Sequence, residues 1–255
     1  MVPEQLTGFL LHRRSYRETS YLTDLFTLEL GKVSAVARGV RGNKSDKKSL
    51  LQSFQLLLLS VSGKHELRNL NQLESAGPML PLVGHQLFSA MYLNELLNRL
   101  LPKEVPHPEL FLSYQQSLNW LASGGDIEPC LRQFELSLLD DMGYGIDFTQ
   151  DYESGQTVEA DIDYCLILES GIRRIDVTVQ GSIPQGSIPQ GSNRFSGEAL
   201  LQVSNNVWTP ESLQCAKRIT RMALSPLLGR KPLKSRELFQ QTWAATKAAN
   251  IGDVK

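Results

Sequence analysis

The residues able to do covalent chemistry are present but not spaced for it. His12, His65, His85 and His107 stand apart in the sequence, and no G-x-S-x-G, Walker A, G-x-G-x-x-G or H-E-x-x-H pattern occurs. Cys130, Cys165 and Cys215 are widely separated and form no C-x-x-C. That spacing argues against a disulfide framework and against structural zinc, and for three small buried hydrophobes. Asp140, Asp141, Asp147, Asp151 and Glu153 match no calcium loop and read as a solvated acidic surface. Asp161 and Asp163 alternate on a predicted strand and share one face, which does not make an active site. The expectation is a protein with no catalytic residues, no metal and no cofactor.

Phosphate contact is the chemistry that the spacing does support. Arg13, Arg14 and Arg17 lie beside Tyr16 and Tyr21. Arg38, Arg41, Lys44, Lys47 and Lys48 follow around Gly39 and Gly42, then Lys64 and Arg68. A second cluster, Lys217, Arg218, Arg221, Arg230, Lys231, Lys234 and Arg236, contains no acid. Residues 1–77 carry a net +4, residues 78–200 a net −11 and residues 201–255 a net +6, within an overall −1. Basic ends around an acidic middle suit a polyanionic partner. They also suit ends that neutralise the middle within the fold, and charge alone leaves both readings open.

These cations need elements to hold them. Residues 6–76 read as about five strands, with hairpin turns at Leu30-Gly31-Lys32 and Ser62-Gly63-Lys64, a spacing that suits a small barrel. From Gly84 the period turns helical. Phe88, Met91, Leu96 and Leu100 mark one helix, ended by Pro102. Phe111, Tyr114, Leu118 and Leu121 mark a second. Leu131, Phe134, Leu138 and Met142 mark a third, stopped by Gly143 and Gly145. Residues 146–180 read as a β-hairpin turning at Gly171, followed by a Gly-Ser-Ile-Pro-Gln repeat that reads as a loop. Thr209-Pro210 starts a last helix, with Leu213, Ala216, Ile219, Thr220 and Ala223 on one face, Lys217, Arg218 and Arg221 on another, and Pro226 as its breaker.

Hydrophobic content of 41% and charged content of 21% are ordinary for a globular chain. No apolar run reaches the roughly 18–20 residues that span a bilayer, and the first residues lack the order of a signal peptide. A cytoplasmic protein is expected.

Taken in order, "SYRETSYLTDLFTLELGKVSAVARGVR", "SLLQSFQLLLLSVSGKHELRNLNQLES", "LFSAMYLNELLNRLL", "LRQFELSLLDDMGYGIDF" and "AKRITRMALSPLLGRKPLKSRELF" resemble the RecO family of bacterial recombination mediators and DNA repair proteins. The resemblance covers nearly the whole chain. It implies an α+β protein: an N-terminal OB-fold β-barrel over residues 1–78, then a mostly helical domain over 79–255. That domain would carry a degenerate zinc-finger-like β-hairpin insert at about 146–196 and basic C-terminal helices. It implies binding of single- and double-stranded DNA and annealing of complementary strands. It further implies, with RecR, loading of RecA onto DNA coated by single-strand-binding protein (SSB), without covalent catalysis, in a nucleoid-associated setting. Many members carry four cysteines in the hairpin; this chain keeps only Cys165 there, so no zinc is expected.

The family also contacts the acidic, Phe-ending tail of SSB, which needs a hydrophobic pocket rimmed by cations. Leu131, Arg132, Phe134, Lys217 and Arg221 are the candidates for it, with Arg132 equally suited to pair with Glu128 or Glu135 at helical spacing. An RNA- or ribosome-associated OB protein and a protein-interaction adaptor share the same electrostatics.

Overall fold

The computed structural model describes residues 4–40, 47–63, 65–175 and 193–239. Arg41, Lys44 and Lys64 lie outside the described residues, as does the Gly-Ser-Ile-Pro-Gln repeat.

Strands β1 (Glu4–Tyr16), β2 (Ser20–Thr27), β3 (Gly31–Ala37), β4 (Leu56–Ser62) and β5 (Leu67–Ser75) close into a barrel in the order β1-β2-β3-β5-β4. Both expected hairpins are present, β2 pairing β3 and β4 pairing β5 antiparallel, while β3 pairs β5 in parallel. The order is that of an OB-like fold. Leu6, Leu10, Leu25, Ala35, Leu57 and Leu59 fill the interior, joined by Val40 and Leu51, so both ends of the 38–50 connection are anchored in the core. A four-residue helix, α1 (Lys47–Leu50), leads into Leu51.

Helices α2 (Gly84–Leu100), α3 (Pro108–Ala122) and α4 (Ile127–Asp141) follow. The outward face of β1 and β2 presents Phe9 and Phe26, which meet Phe111 and Tyr114 of α3 at ring separations of 5.2 to 6.2 Å. Such aromatic pairs add to the area they bury. A bulge between Leu10 and His12 breaks the β1–β2 register there. Asn94 of α2 supplies donors to the carbonyls of Leu10 and Leu11 at 3.4 and 3.3 Å, and the Tyr114 hydroxyl donates to the Asn94 Oδ1. Gly31, at φ 67°, lies so close to the α2–α3 connection that a Cβ would sit 1.7 Å from the Val105 carbonyl oxygen. Helices α2 and α3 and the barrel therefore belong to one compact unit, Met1–Ile127, which also takes in Arg230–Lys255.

Glu128–Gly229 form the second unit. Here β6 (Asp163–Ile167), β7 (Gly171–Arg174) and β8 (Phe195–Ser196) make a three-stranded sheet, packed with α5 (Gly197–Ser204) and α6 (Pro210–Leu228) around Tyr164, Ile172, Leu200, Ala216 and Ile219. The expected hairpin and its Gly171 turn are there. Thr209 and Ser212 form a reciprocal capping box at the start of α6. Pro226 does not break that helix: it sits in the last turn, and α6 runs to Leu228 before Gly229 turns the chain at φ 64°. A proline so near the C-terminus removes a single backbone hydrogen bond rather than an interior turn.

Tyr114→Phe keeps the ring and leaves the Asn94 oxygen short of a buried donor. It is expected to lower stability by about 1–3 kcal/mol in urea unfolding, with an unchanged denaturant slope.

Candidate nucleic-acid interface

In OB folds the face of strands 2 and 3, with the loops after strands 1 and 4, commonly takes oligonucleotides. Part of that face is already used in this chain. Phe26 lies under α3, Lys32 donates to the Asn98 carbonyl at 2.9 Å, and Asp24 accepts from Ser34 at 2.8 Å. The β1–β2 hairpin tip, by contrast, carries exposed Arg14 and Arg17, the latter 5.3 Å from the centre of the Tyr16 ring.

The expected cations divide by what they touch. Arg13 donates to the Leu51 carbonyl and lies 5.2 Å over Tyr21. Lys47 donates to the Asn71 carbonyl at 2.6 Å and Arg68 pairs with Glu104 at 2.8 Å, so both also hold the unit together. Among the described residues, Arg14, Arg38 and Lys48 are exposed and have no side-chain partner.

The second basic cluster is split by the chain's return from one unit to the other. Lys217, Arg218 and Arg221 belong to α6, whereas Arg230, Lys231, Lys234 and Arg236 belong to the barrel unit. On α6, Lys217 pairs with Glu128 at 2.9 Å and Arg218 stacks 4.5 Å over Phe195, while Arg221 is exposed. In the barrel unit, a cleft of about 750 Å³ is lined by Arg13 of β1, Glu95 and Arg99 of α2, and Lys231 and Lys234. Leu51, Phe54 and Met91 are among its apolar walls. Cations from the two ends of the sequence thus meet in one cleft.

Glu95 and Arg99 gave no signal of this in the sequence, where an i,i+4 pair reads as ordinary helix surface. Burial alone would raise the Glu95 carboxyl. Hydrogen bonds from the Ser235 and Lys234 backbone and the Ser235 hydroxyl, with Arg99 nearby, outweigh it and hold that group below the usual glutamate range.

On α4, the pairing alternative for Arg132 is the one realised. Its guanidinium meets Glu135 at 2.7 Å and Thr220 of α6 at 3.3 Å, and the two carboxylate and guanidinium side chains are 2% and 10% exposed. Arg132 is therefore inside the fold rather than on its surface, as is Phe134. Leu131 is half-buried. Truncating one partner of a buried ion pair strands the other. Arg132→Ala is expected to cost about 3–5 kcal/mol in chemical unfolding, where a surface pair would cost under about 1 kcal/mol.

The hairpin residues do not fit a zinc ion. Cys165 is its one cysteine, is fully buried and faces Arg173 across β6–β7. Among the described residues no group of three or more His, Cys, Asp or Glu side chains is placed to hold a metal. All three cysteines are buried without a disulfide, and burial pushes the Cys215 thiol up to about 12.

Asp151 stabilises this region instead, and so is not part of a solvated acidic surface. It is 4% exposed; one oxygen accepts from the Glu153 and Ser154 backbone at 3.0 and 2.7 Å, and the other from the Arg174 backbone at 2.5 Å. Asn193 adds a two-way amide pairing to the Leu166 backbone at 2.9 Å in each direction.

Burial would raise the Asp151 carboxyl, but the donors from Arg174, Ser154 and Glu153 hold it below the usual aspartate range. A depressed folded value contributes stability above the unfolded pKa and loses it as pH falls through the folded one. Asp151→Ala is expected to raise hydrogen exchange in residues 149–174 at neutral pH. In the unaltered chain the same segment is expected to loosen only once the pH falls below the usual aspartate range.

The model of Recombination protein O N terminal matches residues 1–79 and that of Recombination protein O C terminal matches residues 83–237. The chain belongs to the RecO family. It is 55% identical over 242 residues to the DNA repair protein RecO of Pseudoalteromonas atlantica, an alignment covering 95% of this chain and 96% of that one. It is 47% identical over 236 residues to that of Alteromonas mediterranea, with 92% and 97% covered. The RecO of Vibrio cholerae is 44% identical over 239 residues, with 92% of each chain covered. A DNA repair protein with an OB-like barrel is the identity these matches support. No helix among the described residues is long and apolar enough to cross a membrane.

Proposed function

We propose that this RecO-family chain is a non-enzymatic recombination mediator of the cytoplasm and nucleoid. It binds single- and double-stranded DNA, anneals complementary strands and, with RecR, promotes loading of RecA onto SSB-coated DNA. The observation that carries this reading is the meeting of Arg13, Arg99, Lys231 and Lys234 in one cleft of the barrel unit. Exposed Arg14, Arg17 and Arg38 on the same unit extend the cationic surface available to a backbone. Lysine and arginine that displace condensed counterions give affinity without sequence preference, which suits a factor that must act on any strand.

The SSB tail is assigned to α4 and α6. Lys217 and Arg221 offer cations there, and Leu131 offers partly exposed apolar surface. Arg132 and Phe134, being buried, shape that surface from beneath. Residues 1–78 are assigned to an N-terminal binding domain and 79–255 to a C-terminal helical domain, a division that the separate family matches over residues 1–79 and 83–237 support.

Annealing of complementary DNA, with and without SSB, across a salt series tests the reading. With about four or five phosphate contacts, apparent affinity is expected to fall on the order of 10²-fold between about 50 and about 200 mM salt. A flat salt response would sink the DNA assignment. Equal or tighter binding to RNA strands of the same length would favour an RNA-associated role.

A further inference from the structure

Helix α2 holds the segment after Gly229 at three points, all on one of its faces. Arg99 donates to the carbonyls of Lys231 at 2.8 Å and Pro232 at 3.2 Å. Glu95 accepts from the Lys234 backbone at 3.0 Å, the Ser235 backbone at 2.9 Å and the Ser235 hydroxyl at 2.8 Å. Phe239 lies against His85 and Phe88, with ring centres 5.3 and 6.0 Å apart. Residues 85, 88, 95 and 99 recur at intervals of three, seven and four, which is one stripe of a helix. Residues 234–239 are helical, so the Glu95 carboxylate takes two of the backbone donors that the start of such a turn leaves unsatisfied.

This arrangement is unusual in sign. Glu95 is an acid in a cleft whose lysine and arginine lining residues are Arg13, Arg99, Lys231 and Lys234. As a bare charge it would oppose a polyanion. As a clamp it does the reverse, because it ties down the backbone of the segment whose lysines face the cleft. The Lys231 and Lys234 side chains are exposed and have no side-chain partner among the described residues.

We propose that Glu95 and Arg99 are positioning residues for nucleic-acid binding: they fix the segment from Arg230 to Phe239 so that Lys231 and Lys234 join Arg13 in one phosphate track. The track rests on the DNA reading above, and the clamp is an addition to it. The two ends of the chain then act on a strand as a single surface, and each lysine counts as a fixed contact rather than as a mobile charge.

The test is single-strand binding by the full chain over a salt series, comparing Glu95→Ala, Lys231→Ala/Lys234→Ala and the triple variant. Each phosphate contact on a single strand contributes about 0.7 to the log–log salt slope. Glu95→Ala removes a negative charge, so simple electrostatics gives tighter binding. The clamp instead gives weaker binding, with a salt slope reduced by about 1.4, as in the double-lysine variant. Adding Glu95→Ala to the double-lysine variant is expected to change nothing further, since the two act through the same contacts. Glu95→Gln, which keeps an acceptor oxygen, is expected to fall between Glu95→Ala and the unaltered chain. Hydrogen exchange at the Lys234 and Ser235 amides should rise in Glu95→Ala.

Tighter binding with an unchanged or steeper slope in Glu95→Ala would overturn the clamp while leaving the DNA reading intact. A flat salt response of the unaltered chain would remove the DNA reading itself. The lysine variant alters only exposed side chains, so a full slope in it would overturn the track even if Glu95→Ala failed to fold.

Discussion

Helix α2 is buried from two sides, and most of the barrel unit depends on that. One side carries Ala90, Leu93, Asn94 and Leu97. There Asn94 satisfies the carbonyls of Leu10 and Leu11, at the β1 bulge. The other side carries His85, Phe88, Glu95 and Arg99 and receives the segment after Gly229. A buried amide between two carbonyls and a tyrosine hydroxyl has little freedom to shift, since any unmade bond there costs its full desolvation. The aromatic contacts of Phe9 and Phe26 with α3 hold the same relation from the next helix along. A barrel whose outer wall is a helical pair is a different platform from a bare barrel. Its strand 2–3 face is partly spent on packing, while exposed cations stand at the hairpin tip and on the segment after Gly229.

The barrel was legible because its signals are local. Alternating apolar residues, a glycine at the β2–β3 turn and another at the β4–β5 turn suffice to specify five short strands. Helix α3 was also clear, since Phe111, Tyr114, Leu118 and Leu121 point one way and all are buried. Helix α2 was read less well. Of Phe88, Met91, Leu96 and Leu100, the expected core face, Leu96 is fully buried and the other three only partly, while Ala90, Leu93 and Leu97 are fully buried beside it. A helix covered on two sides has too broad an apolar arc for one stripe to define. Pro226 does not end α6, because a proline's cost depends on which turn it occupies. The meeting of Arg13 with Lys231 and Lys234 is a long-range contact and leaves no periodic trace. Arg132 illustrates the same limit: both a surface pair and a buried one have the spacing i,i+3, and only the position of Thr220 on α6 separates them.

The hairpin unit is tied together by side chains bonded to backbone. A tetrahedral thiolate site crosslinks four points of chain through one ion. Asp151 crosslinks a loop and a strand through hydrogen bonds, and Asn193 extends the sheet edge with a side-chain amide. Both are charge- or dipole-based links to backbone, so they tolerate sequence change in the side chains they touch. They do not tolerate loss of the acceptor. Tyr164, Ile172 and Phe195 supply the packing that a small metal-bound finger usually lacks, against α5 and α6.

The chain leaves the barrel unit at Ile127 and returns to it at Arg230. The ribosome therefore releases every strand of the barrel, and α2 and α3, before the segment that α2 holds has been made. At about 5–20 residues per second, the intervening unit takes on the order of ten seconds to synthesise. During that interval Glu95, Arg99 and Phe88 face solvent, and the barrel has its hairpin-tip cations but not its C-terminal ones. Closing of the last segment is thus a final assembly step, and a nascent or truncated chain presents a surface of different charge from the finished one.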